Sequence, residues 1–395
     1  MPNVDYSALA ASYDVEAARA AFPIKTLSVT PAGEGHKVLS FGIPSYNAAK
    51  DMDHCISSIL EGSKCASDIE IIIVNDGSKD ETGAKADEWE ARYPGIVRVV
   101  HQENGGHGMA VRAGLREARG TYYKVVDSDD WLDADALATM LQLLRGFEER
   151  DLRVDLFISN YVYEKVHEGT HTTISYRMAL PRKKVFTWGD IGRFRPDQNL
   201  LMHSLCYRTD VLRAHGLPMP PHTFYVDNIY AYVPLPNCET LYYADIDLYR
   251  YFIGREGQSV NEEIMVGRLD QQFRITRIMM QAYHLYEDVP QEKLRSYMMG
   301  YFTMMMAICS VFTKLSDKPG IEDELAALWA ELKAYDEKMY RKARHGVIGI
   351  GTNLPGKLGE KTTIAGYRLA SKIFKFNYFH ALPCNWGRVQ ITHRV

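Results

Sequence analysis

From residue 125 to residue 130 the chain reads Val-Val-Asp127-Ser128-Asp129-Asp130, an apolar run that ends in three carboxylates within four positions. Like charges crowded this closely are costly unless a cation or hydrogen-bond donors compensate them. Hard divalent cations take oxygen ligands, and Mg2+ commonly combines one or two carboxylates with substrate phosphates. If the apolar run is a strand, its period of two puts Asp127 and Asp129 on one side. Asp129 is then expected to bind Mn2+ or Mg2+, with Asp127 reaching a ribose or a metal-bound water. Asp130 either adds a contact to the bound substrates or, with Asp133, caps the next helix.

Two other apolar runs also end in polar residues. Residues 37–44 lead into Pro44-Ser-Tyr46-Asn47, and residues 69–76 lead into Asn75-Asp76-Gly-Ser78. Each ending alone is an ordinary turn or helix cap. The elements around them give the three a common purpose. Strands are predicted over 37–44, 69–76, 97–100, 122–127 and 152–163, alternating with helices over 52–61, 80–93, 108–119 and 133–150. A Ser78-x-x-Glu81 capping box is expected to start the second helix. Strands alternating with helices of this length predict an α/β fold with a doubly wound, mostly parallel sheet. Ligands of such sheets bind in the crevice beyond the carboxyl ends of the strands. Three polar strand ends therefore point at one site. Next to it, Asn104-Gly105-Gly106-His-Gly108 opens a helix whose free amides and positive dipole end suit a phosphate, and Arg112 lies one turn further on.

These pieces resemble glycosyltransferase family 2. The resemblance runs over about residues 38–135, through Pro44-Ser-Tyr46-Asn47, Val74-Asn-Asp76-Gly-Ser78, Glu103-Asn-Gly-Gly-His-Gly108, Arg112-Ala-Gly114, Ala118-Arg-Gly120-Thr-Tyr122 and Asp127-Ser-Asp-Asp-Trp-Leu132. It implies a nucleotide-sugar-binding GT-A fold, a UDP-sugar donor and an inverting transfer. On this likeness Asp76 accepts hydrogen bonds from the uracil or its surroundings, Tyr46 packs the base, and Asn47 holds the loop. Pro44, Gly105, Gly106, Arg112, Asp127 and Ser128 complete the donor site. Phe224-Tyr-Val-Asp227-Asn matches the family's acidic pair that ends in the catalytic base, with Val226 where the first acid commonly stands. Asp227 is thus the expected base, with His222 and Glu256 next in line. Arg255, Gln258 and Ser259 fall where related enzymes close over the diphosphate or the acceptor. Inversion is one displacement at the anomeric carbon, needing a base for the acceptor hydroxyl and a cation for the leaving diphosphate.

Two other functions share the sheet type. A sugar-phosphate nucleotidyltransferase would want a Gly-rich, basic loop after the first strand, which Pro44-Ser-Tyr46-Asn47 is not. A non-catalytic nucleotide-sugar-binding module would have no need of carboxylates at 127, 129 and 227.

At 395 residues, with 46% hydrophobic and 24% charged residues, the chain has material for two or three domains and a large core. The expected division is an N-terminal helical extension (1–36), a catalytic domain (37–255), a helical domain (256–345) and a basic-aromatic tail (346–395). Six scattered cysteines without a Cys-x-x-Cys pair fit a reducing cytosol. The acidic first residues lack the apolar core of a signal peptide. Residues 297–313, rich in Met, predict a buried helix rather than a membrane span. The net charge of -4 is unevenly spread: from Arg341 onward ten Lys and Arg face one acid, leaving the first 340 residues near -13. Within 357–379, Lys361, Arg368, Lys372 and Lys375 flank Ile364, Leu369, Ile373 and Phe376. This pattern suits either a helix lying on an anionic membrane or one packed on the catalytic domain. The expected partners are a UDP-sugar and a glycan or lipid-linked acceptor, with no nucleic acid, at the cytoplasmic face of the cell membrane.

Overall fold

The computed structural model describes residues 35–195, 198–253 and 262–374. The expected N-terminal extension therefore lies almost wholly outside the described residues, as do Arg255, Glu256, Gln258, Ser259 and Lys375.

The core alternation is present. Strand β1 (Lys37–Ser45) leads to helix α1 (Met52–Ser63), β2 (Ile69–Asp76) to α2 (Thr82–Arg92), and β3 (Val97–Gln102) to α3 (His107–Glu117). Then come β4 (Gly120–Val125), the short β5 (Trp131–Leu132), α4 (Ala134–Glu149), β6 (Leu156–Lys165), β7 (Thr170–Ile174), β8 (Val185–Phe186), β9 (Leu205–Arg208), α5 (Thr209–His215), α6 (Asp227–Tyr232) and β10 (Leu241–Phe252). The sheet runs β3-β2-β1-β4-β9-β6-β10-β5, with β7 on β6 and β8 on β10. The first four strands in that order are mutually parallel, whereas β9 inserts antiparallel between β4 and β6. Every residue of β1 and β2 is buried. That burial explains their continuous apolar sequence, since helices cover both faces of the sheet.

Two local expectations are corrected. The fourth strand ends at Val125, two residues before Asp127, and residues 128 and 129 form a turn. Period two does not extend into a turn, so the argument for Asp127 and Asp129 sharing a side loses its basis. Helix α2 begins at Thr82, and the Ser78–Glu81 capping box does not form. Instead Asp80 Oδ1 accepts the Thr82 N–H at 3.0 Å, while Ser78 Oγ accepts the N–H of Asn47 at 3.0 Å. Asp133 does cap α4, accepting the Ala136 N–H at 3.0 Å.

Beyond the sheet the chain is helical: α7 (Glu262–Gly267), α8 (Leu269–Ala282), α9 (Leu285–Asp288), α10 (Glu292–Leu315), α11 (Ile321–Tyr335), α12 (Glu337–His345), α13 (Val347–Thr352) and α14 (Gly356–Phe374). Among the described residues, α10 is the helix long and apolar enough to cross a membrane, yet 67% of its apolar window is buried inside the protein. It packs against α8, α11, α12, α13 and α14 as the core of this layer.

Candidate functional site

The site begins at the carboxyl edge of β1, β2 and β4. Because these strands are parallel neighbours, Ser45 pairs with Asn75, and Gly42 pairs with both Ile72 and Val125. Their polar endings therefore leave the sheet side by side. Asn47, at φ 52°, ties the first two endings together by accepting the Lys79 N–H at 2.8 Å. Pro44 is buried in β1, while Tyr46 stands 49% exposed at the rim.

Asp76 is 2% exposed and fully engaged. Its Oδ1 accepts from Gln102 Nε2 at 2.7 Å and from the Gly105 N–H at 2.8 Å, and its Oδ2 accepts from the Gly106 N–H at 2.8 Å. The amides expected to face a phosphate are thus bound by a strand-end carboxylate in this structure. Glycine is required at position 106 for two reasons. Its φ is +85°, and a Cβ there would sit 2.9 Å from the backbone nitrogen of His222. That close approach docks the glycine loop on the segment before Asp227, with the His222 N–H donating to the Gly105 carbonyl at 2.7 Å.

The acidic turn follows β4. The Asp130 N–H closes it onto the Asp127 carbonyl at 3.0 Å. Asp130 is 1% exposed and does not cap α4. Its Oδ2 accepts from the Tyr249 hydroxyl at 2.7 Å and its Oδ1 from the Phe252 N–H at 2.9 Å, tying the turn to β10. Burial, followed by repulsion from Asp127, pushes the Asp130 carboxyl well above the usual carboxylate range. Ser128 is buried, and Asp129 is partly exposed on the turn.

Two imidazoles flank Asp127, and neither followed from the sequence. His107, the first residue of α3, shares a 2.8 Å hydrogen bond between its Nε2 and Asp127 Oδ1. Burial works against its charged form, but Asp127 foremost, then Asp227 and Asp76, raise its pKa. One imidazole therefore feels the carboxylates of three separate elements. His203 Nε2 lies 3.8 Å from Asp127 Oδ2. Burial lowers the His203 pKa to about 4, so its ring is neutral at pH 7. His107 sat inside the glycine cluster and was readable as a polar residue at a helix start. His203, preceding β9, gave no local signal.

Asp227, partly buried, opens α6. Burial, then repulsion from Asp127, raises its pKa to about 6, with His107 pulling the other way. A carboxyl group near this value accepts a proton efficiently at neutral pH. The helical layer holds its neighbours. Asn228 Oδ1 accepts the Tyr301 hydroxyl of α10 at 2.9 Å, Thr223 Oγ1 accepts from Arg274 Nη1 at 2.9 Å, and Gln271 Oε1 accepts the Phe224 N–H at 2.8 Å. His222 is exposed at φ 46°, and Arg112 is partly buried in α3.

The ligand atoms of Asp127, Asp130 and His203 lie within 4.8 Å of one another. Two carboxylates beside a neutral imidazole make a donor set that fits a divalent cation. Asp129 is not part of this group. The structure thus gathers Asp76, Asp127, Ser128, Asp130 and Asp227 around His107 and the turn.

Residues 40–200 match the family model for glycosyl transferase family 2. Over these residues, less than half of its length, the chain is similar to that family. Among curated proteins similar to this chain, the glycosyltransferase GlyG of Streptococcus pneumoniae is 36% identical over 126 residues, covering 32% of this chain and 39% of that protein. The uncharacterized glycosyltransferase YibD of Escherichia coli is 29% identical over 219 residues, covering 54% of this chain and 61% of that protein. The chain thus spans less than two thirds of these relatives' lengths. The crystal structure of S. aureus TarS 1-349 superposes with a TM-score of 0.58 at 16% identity, covering 84% of this chain and 92% of that one. The same protein in complex with UDP-GlcNAc gives a TM-score of 0.57 at 17% identity. At such identities the likeness shows the fold, which is GT-A.

Proposed function

We propose that the protein is an inverting glycosyltransferase that moves a hexose or N-acetylhexosamine from a UDP-sugar to a lipid-linked or cell-surface glycan. The observation that carries this reading is Asp227: a carboxyl group with a pKa near 6, in the electrostatic field of His107 and Asp127 at the edge where three strand ends converge. The family match and the UDP-GlcNAc complex of TarS support the donor class.

In this reading the uridine lies over the ends of β1 and β2, against Tyr46 and the loop that Asp76 and Asn47 brace. Arg112 and the start of α3 face the diphosphate. Asp127 and Asp130 would hold Mn2+ or Mg2+, with Asp129 on the same turn, and the ion would neutralise charge on the leaving diphosphate. The acceptor hydroxyl oxygen attacks the anomeric carbon as the bond to the diphosphate oxygen breaks. Asp227 takes the hydroxyl proton, and UDP leaves. Asp130 keeps the turn against β10 through Tyr249 and Phe252. Arg255, Gln258 and Ser259 belong to the segment that closes over the substrates. The decisive experiment is UDP release from a panel of UDP-sugars with Mn2+ or Mg2+ and an acceptor extract. No release from any of them, with wild-type protein that remains folded, overturns the reading.

The acceptor side points to an anionic membrane. Val347 (91% exposed), Ile350, Leu358 and Leu369 are exposed on α13 and α14 beside exposed Lys357, Lys361 and Arg368. Apolar side chains within a basic surface fit acidic headgroups, each basic residue contributing about 1 kcal/mol. The rest of α14 is held inward, with the Tyr367 hydroxyl donating to Glu262 at 3.1 Å, so it both packs on the protein and offers an outer face. Co-sedimentation with phosphatidylserine vesicles should fall sharply when Lys357, Lys361 and Arg368 are changed together to Glu. Unchanged binding would remove the membrane from the proposal.

A further inference from the structure

His203 has no task in the reaction as derived, yet its surroundings are those of a ligand. It is 6% exposed. Its Nδ1 has no hydrogen-bond partner, and its Nε2 stops 3.8 Å from Asp127 Oδ2, beyond hydrogen-bond reach. The nitrogen that faces the acidic turn is thus Nε2, while Nδ1 is the buried atom without a partner. The ring is nonetheless firmly placed. It stacks on Tyr251 with centroids 4.4 Å apart and an interplanar angle of 20°, and meets the edge of Tyr249 at 4.7 Å. Its backbone carbonyl accepts from the buried Lys124 Nζ at 2.8 Å, which ties it to β4 just before the acidic turn. Its ligand atom lies within 4.8 Å of those of Asp127 and Asp130. An aromatic clamp that holds an imidazole with its Nε2 toward Asp127, within ligand distance of two carboxylates, is the arrangement of a nitrogen ligand.

We propose that His203 is a nitrogen ligand of the cation at the acidic turn, and that it biases the site toward a first-row transition ion such as Mn2+ or Co2+ over Mg2+. The inference rests on the cation-assisted reading of the site. Mg2+ demands near-ideal octahedral oxygen coordination, whereas imidazole nitrogen favours the softer transition ions in the order Mn2+ below Co2+. A site with one nitrogen donor therefore discriminates among ions of equal charge.

The test uses the full chain, stripped of metal and loaded with Mn2+ in the presence of UDP. Electron spin-echo envelope modulation should show nitrogen-14 coupling to the bound Mn2+ in the wild type. That coupling should vanish in His203→Gln, which offers an oxygen instead. In parallel, His203→Gln should weaken Co2+ and Mn2+ binding on the order of tenfold to hundredfold, while Mg2+ affinity from competition changes by less than about threefold. Mn2+ that binds the wild type without nitrogen coupling overturns the inference and leaves the cation-assisted reading intact. Failure of the wild type to bind any of the three ions overturns both. Because the spectroscopic arm is read on the wild type, it stands even if the variant fails to fold.

Discussion

The strand-end edge, proposed as the donor side, and the segment that carries Asp227 come within electrostatic reach of each other but are held there by different means. At the donor edge, parallel neighbours β1, β2 and β4 end together, and their polar residues brace one another across short turns. Asp227 sits on a six-residue helix outside the sheet, fixed by Tyr301, Arg274 and Gln271 of the helical layer. The first arrangement follows from strand order. The second depends on packing between segments distant in sequence. The donor side should therefore tolerate changes in the helices, whereas the position of the proposed base should not.

Asp227→Asn gives the largest expected effect: a fall in kcat on the order of 10²–10⁴, with UDP-sugar affinity unchanged in calorimetry. A loss of donor affinity as large as the loss of turnover would erase the division between the two regions. Asp127→Asn should act on the other side, weakening Mn2+ and donor binding by about tenfold to hundredfold.

Acid should act through Asp227. It must be ionised to take a proton, so kcat/KM should fall about tenfold per unit below the Asp227 pKa of about 6 and level off above it. A profile flat from pH 5 to 8 would place the base elsewhere. The same shift carries a stability cost. Because burial raises the folded-state pKa above that of a free aspartate, the native state binds the proton more tightly, and stability is lost as pH rises through about 6. Discounted for partial exposure, Asp227→Asn should be more stable than the wild type at pH 8 by about 1–2 kcal/mol, a gain that disappears near pH 4, as denaturant titration at the two pH values would reveal.

The smallest effect sharpens the comparison most. Tyr301→Phe removes the hydroxyl bound to Asn228 and should cost about 1 kcal/mol of stability. It should lower kcat modestly while leaving the donor dissociation constant within error. A shifted donor constant instead would mean that the helical layer also shapes the nucleotide side.

Much of this site was legible beforehand, and the particular residues show why. Asp76 and Asp127 were readable because a buried parallel strand must be continuously apolar, so its polar exit is conspicuous. Their convergence then followed from where such sheets place ligands. Asp130 was misread as a possible helix cap, since Asp130 and Asp133 look equivalent on paper. The structure gives the cap to Asp133 and ties Asp130 to Tyr249 and Phe252, some 120 residues away. Gly105 and Gly106 were read as phosphate donors, with nothing local to reveal that Asp76 takes their amides.

The sequence by itself determined the alternating architecture, the resemblance to glycosyltransferase family 2 and the strand ends that carry polar chemistry. Each of these is written in short-range periodicity and in motifs a few residues long. Only the tertiary structure decided that the strand stops before the acidic turn, that His107 bonds Asp127 within the field of Asp227 and Asp76, and that His203 approaches Asp127 from beside the antiparallel β9. Those outcomes depend on which distant segments share a low-dielectric pocket, where burial and neighbouring charge set each group's protonation and partners.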